Sequence, residues 1–74
     1  MAAVLHLLKG GDPALPLSVI ERDLRAGHDV TVALLPGADP PTLPPGVWIH
    51  HVTRDLSWAQ LLELVFAADS VISW

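Results

Sequence analysis

Residues 3–35, AVLHLLKGGDPALPLSVIERDLRAGHDVTVALL, decide the fold. The stretch opens on an apolar run, Ala3 to Leu8, closed by Lys9-Gly10-Gly11-Asp12-Pro13. A run of that length between turn residues reads as a strand buried on both faces. Leu17, Ile20 and Leu24 then recur at helical spacing, with Glu21, Arg22, Asp23 and Arg25 between them. Pro16 suits a first turn, where a missing N–H costs little, and Gly27 suits the left-handed position past a helix end. The spacing predicts a helix over 16–26. Residues 30–35 make a second, β-branched strand closed by Pro36-Gly37. Strand, helix and strand this close together form a βαβ unit, which is parallel and right-handed.

Outward from this unit, residues 38–46 hold Pro40, Pro41, Pro44 and Pro45. No helix runs through such a segment, so the second connection reads as an extended loop. Residues 47–52 make a third strand. Ser57-Trp58-Ala59-Gln60 matches a capping box and opens a second helix through Ala68, with Leu61, Leu62, Val65 and Phe66 as its apolar stripe. Asp69-Ser70 turns the chain into a last strand, 71–74. The expected architecture is one α/β domain over 1–74, a small flavodoxin-like three-layer fold. Its sheet has four parallel strands in order 2-1-3-4, with the two helices on opposite faces. One helix per face leaves sheet uncovered, and a neighbouring subunit is the expected cover.

Composition points the same way. The chain has 74 residues, 51% of them hydrophobic and 16% charged, with no cysteine, and a mean hydropathy of +0.47. A body this small is marginal alone and usually gains a disulfide, a metal or a partner. Without cysteine there is no disulfide, thiolate zinc site or nucleophilic thiol, and a homo- or hetero-oligomer is the expected remedy. A net charge of −4 with only four Lys and Arg residues argues against binding a phosphate backbone. Apolar runs fall short of the ~18 residues of a membrane span, and the start lacks a basic segment and cleavage signal. The expected location is the cytoplasm, with no membrane or nucleic-acid partner.

In an open α/β sheet, ligands collect beyond the carboxyl ends of the strands. Lys9, Gly10, Gly11 and Asp12 lie there as a candidate anion or ligand loop or as a plain turn that needs no ligand; they match no dinucleotide or Walker pattern, and Pro13 removes an amide donor. Arg54 and Asp55 follow the third strand as a second polar site or a solvated pair. His50 and His51 leave opposite faces of a strand, and His6 and His28 share no ligand spacing, so no metal or other cofactor is expected. His6 reads as a satisfied core residue. Ser57 reads as a helix cap rather than a nucleophile. No catalytic constellation is visible. Trp48, Trp58 and Trp74 are the candidate interface anchors, because tryptophan is enriched in interface cores.

The run Val4-Leu5-His6-Leu7-Leu8, the strand Asp29 to Leu35, and the ending Ser57 to Trp74 with its Ala68-Asp69-Ser70-Val71-Ile72-Ser73-Trp74 close resemble the DsrE/DsrF/DsrH superfamily. The ending is nearest its DsrH, or TusB-like, branch. The resemblance spans both ends and not the proline-rich middle. It implies small α/β subunits that assemble with DsrE/DsrF-like partners and pass sulfur as a cysteine persulfide, in sulfur oxidation or tRNA thiolation. With no cysteine, this chain would be a non-catalytic, oligomer-forming subunit. Val4-Leu5-His6, followed by a helix and Arg25 to Val32, also resembles the opening of a GT-B glycosyltransferase. That implies, as an alternative, a small anion- or nucleotide-binding module.

Overall fold

A computed structural model describes residues 2–39 and 41–74; Pro40, one of the four loop prolines, lies outside them. In chain order the elements are β1 (Ala3–Leu8), α1 (Ala14–Arg25), β2 (Asp29–Leu34), β3 (Trp48–His51), α2 (Trp58–Ala67) and β4 (Ser70–Ser73). All four strands are parallel, so the α/β class and the two-helix parallel sheet are as the sequence implies.

Local chemistry sets the element ends. α1 begins at Ala14, two residues ahead of the spacing-based start, because the Asp12 carboxylate accepts the Ala14 N–H at 3.0 Å. At its other end Gly27 adopts φ +82°. There the Gly27 N–H donates to the Leu24 carbonyl and the His28 N–H to the Asp23 carbonyl, the paired bonds of a Schellman motif. The capping box of α2 forms in full: Ser57 Oγ accepts the Gln60 N–H, and Gln60 Oε1 accepts the Ser57 N–H.

Between β3 and α2 the chain reverses in a tight turn in which the Arg54, Asp55 and Leu56 N–H groups all donate to the His51 carbonyl. Thr53 sits there at φ +72°, a conformation that costs a β-branched residue about 1–2 kcal/mol. Thr53→Gly is therefore expected to raise the unfolding free energy by about 1 kcal/mol, measured by urea denaturation.

The strand order is β3-β2-β1-β4, not the expected 2-1-3-4. The proline-rich connection explains the difference. Its Ala38, Leu43 and Val47 pack on the same apolar cluster as Ile20 and Leu24 of α1, so this connection crosses the same face as α1. Two right-handed crossovers on one face must step in one direction. β3 therefore lands outside β2 instead of returning to β1. α2 then carries the chain back across the other face, and β4 pairs with the free side of β1.

Each face has its own core. Leu8, Ile20, Val30, Val32 and Leu34 pack beneath α1; Leu5, Ala33, Val52, Leu56 and Leu61 pack beneath α2. Leu61, Leu64 and Val65 of α2 reach this second core, with Ala68 just past the helix end. Leu62 and Phe66, expected in the buried stripe, instead point outward at 54% and 80% exposure. The radius of gyration, 11.3 Å, matches the ~11 Å of a compact chain of this length.

Candidate functional site

The order β3-β2-β1-β4 reverses between β1 and β4, and a cleft of about 210 Å³ lies beside that junction at the carboxyl ends of the strands. Such a reversal is where open α/β sheets hold ligands. After β1, Gly10 and Gly11 take φ +107° and +94° in succession. That backbone path strongly disfavours side chains with a Cβ, which is why a glycine pair stands there. The path delivers Asp12 to the start of α1. Leu8, Leu15, Pro16 and Trp74 give the cleft apolar walls, while Asp12 and Asp39 bring carboxylates to it.

Trp74 follows β4, and its main chain extends the β1–β4 ladder by donating to the Leu7 carbonyl at 2.9 Å. Its indole Nε1–H donates to Nδ1 of His6 at 3.0 Å. The rings are 7° from parallel with centroids 6.2 Å apart. Joined by an in-plane hydrogen bond at that separation, they lie edge to edge rather than face to face. An indole is a donor only, so Nδ1 must be the acceptor and His6 carries its proton on Nε2. Nε2–H in turn donates to Oδ2 of Asp23 at 3.2 Å. His6 is wholly buried and Asp23 is 8% exposed. Burial pushes the His6 imidazole below its ordinary value, with Asp23 pulling the other way.

No known family, curated protein or solved structure matches the chain.

Of the residues the sequence singles out, Gly10, Gly11, Asp12 and Trp74 come together around the cleft. Lys9 is exposed and is not one of the cleft's lining residues. The first turn of α1 serves an anion poorly. Pro13 and Pro16 have no N–H, and the Ala14 N–H is held by Asp12, which leaves Leu15 to offer an amide. A phosphate would also meet the carboxylates of Asp12 and Asp39. The donor set suits a neutral ligand better.

Arg54 and Asp55 sit apart, in the turn after β3. Asp55 uses a carboxylate oxygen to accept the His51 N–H at 3.1 Å, which makes it a turn-forming residue. Arg54 lines a separate groove with Pro36, Gly37 and His51. Trp48 and Trp58 are 65% and 56% exposed, while Trp74 is half-buried against the α1-side core. His50 and His51 stand in register with Ala33 and Leu34, residues of opposite cores, so they leave opposite faces. Among the described residues no three acidic or histidine side chains gather where a metal could sit, and no helix is long and apolar enough to cross a membrane.

His6 is the satisfied core residue its mid-strand place implies. Sequence reading missed Asp23, its partner. The signal was available: the buried positions of α1 are Pro16, Ile20 and Asp23, a helical i, i+4, i+7 series ending on an acid. An acid on the buried stripe of a helix requires a donor opposite it.

Proposed function

We propose that this chain works by assembly, as a non-catalytic subunit of a DsrE/DsrH-type sulfur relay in which a partner subunit carries the relay cysteine. The observation that carries the assembly reading is that α2 is apolar on both sides. Leu61, Leu64 and Val65 serve the core, while Trp58, Leu62 and Phe66, one turn apart, form a second stripe at 54–80% exposure. Only Gln60 and Glu63 break the apolar surface of α2, so the apolar stripe is wider than docking on one sheet face requires. Trp48 adds to the same side of the sheet, since it stands in register with Thr31 and, through it, with Leu5 of the α2-side core.

At ~150–250 Å² per large side chain, these four residues together expose roughly 500 Å² on one side of the molecule, within the range of the largest apolar patch of a monomer, which is often functional. A matched partner would bring the interface to roughly 1,000 Å², the threshold of a specific contact. The relay assignment is supported by the resemblance of the ending, residues 57–74. The absence of cysteine assigns any persulfide to the partner.

Sedimentation at micromolar concentration tests the assembly. The wild-type chain is expected to sediment as an oligomer, or as a complex when co-expressed with a cysteine-bearing DsrE-like subunit. Phe66→Glu is expected to return it to a folded monomer with unchanged circular dichroism. A wild-type chain that stays monomeric, folded and unbound by such a subunit would refute the proposal.

A second reading has its own observation, the cleft at the β1–β4 junction walled by Gly10, Gly11 and Asp12. It supports a small-ligand module. It ranks second because the cleft offers few donors to the anions or nucleotides that the other resemblance implies.

A further inference from the structure

The chain Trp74–His6–Asp23 satisfies each of its members in one protonation state only. The indole N–H donates to Nδ1, and Nε2–H donates to the carboxylate. Nε2 already holds a hydrogen, so the next proton on the ring must go to Nδ1. It would then face the indole N–H across the present 3.0 Å, donor against donor, with no lone pair between them. The contact between His6 and Asp23 would meanwhile become a buried ion pair and tighten. Acid thus trades one partner of His6 for the other.

The geometry points to an acid-sensitive latch: protonation of His6 at Nδ1 releases the Trp74 indole and with it the wall that Trp74 gives to the cleft beside β1 and β4.

The surroundings of His6 allow this trade and little else. From β2 its register neighbour is Val32, and from β4 it is Ile72. From α1 it meets Asp23, whose other oxygen lies 3.9 Å from a guanidinium nitrogen of Arg22. No further titratable group is paired with it among the described residues. The Trp74 main chain stays tied to Leu7 while the ring, half-buried and beside an open cleft, has room to swing. Burial of the imidazole keeps the latch closed at neutral pH and sets its release below the ordinary histidine value of 6.5.

The 74-residue chain with Trp48→Phe and Trp58→Phe keeps Trp74 as its one tryptophan. On acidification its emission is expected to shift to the red in a single step with a midpoint below 6.5, while the helical circular dichroism holds. His6→Asn, which retains an acceptor near the Nδ1 position, is expected to abolish the step. Asp23→Asn retains an acceptor for Nε2–H but removes the charge that favours imidazolium, and is expected to move the midpoint to lower pH. Nitrogen-15 spectra of the unsubstituted chain should show the Nε2–H tautomer at neutral pH, and they test the latch even if a variant fails to fold. Three results would overturn it: an Nδ1–H tautomer at neutral pH, a flat Trp74 emission while His6 takes up its proton, or loss of the helical signal together with the emission step.

Discussion

His6→Leu is expected to lower the unfolding free energy by about 3 kcal/mol at neutral pH, the cost of leaving a nearly buried carboxylate without its hydrogen-bond donor. Leucine restores most of the volume beneath α1 but donates nothing. The Asp23 carboxylate, 8% exposed, would keep only Arg22 at 3.9 Å, and the Trp74 indole would lose its acceptor. For a domain this small the loss is a large fraction of the whole stability. The double variant His6→Leu/Asp23→Leu should cost less than the single one, because two apolar side chains leave no unpaired charge. Urea denaturation followed by circular dichroism measures both, and a single-variant cost below about 1 kcal/mol would show that the pair is not coupled to folding.

The same residue fixes a pH response. With the folded imidazole pushed below 6.5, the unfolded chain takes up its proton first as pH falls. The contribution of His6 is then complete above about 6.5 and declines as pH drops toward the folded value. His6→Leu should lack this decline.

Ile20→Ala is expected to cost about 2–5 kcal/mol, whereas Phe66→Ala should change the stability of the monomer by no more than about 0.5 kcal/mol. Ile20 is fully buried among Leu8, Val30, Val32 and Leu34, and its truncation opens a hole that β1 and β2 cannot close. Phe66 is 80% exposed and leaves no cavity behind. Urea titrations at a protein concentration low enough to dissociate any oligomer make the comparison. Equal costs would mean that the outer side of α2 is covered within the monomer, and the assembly reading would lose its support.

Much of the fold is legible because punctuation and period agree. Gly27 ends α1 and Ser57 caps α2 through short-range hydrogen bonds, which sequence spacing captures. The strand order was not legible. It turns on which face a helix-free connection crosses, and that is decided by where Ala38, Leu43 and Val47 find apolar contact, not by the prolines that announce the loop. The outward turn of Leu62 and Phe66 was hidden for a related reason. In a helix with so few polar residues, several stripes satisfy the helical period, and only docking on the sheet selects one. At the candidate site, Gly10, Gly11 and Asp12 could be found from their place after β1. Asp23 could not be paired with His6 without knowing that α1 lies over the face to which His6 points.

Asp23 is held twice. Its carbonyl closes the Schellman motif by accepting from His28, and its carboxylate accepts from His6. Greasy contacts between a helix and a sheet tolerate sliding, since one leucine fills the place of another. A displacement of α1 by even one residue, about 1.5 Å along its axis, would break the carboxylate's bond to β1 in the middle of the sheet. The acid therefore acts as a dowel, denying α1 every seating but one.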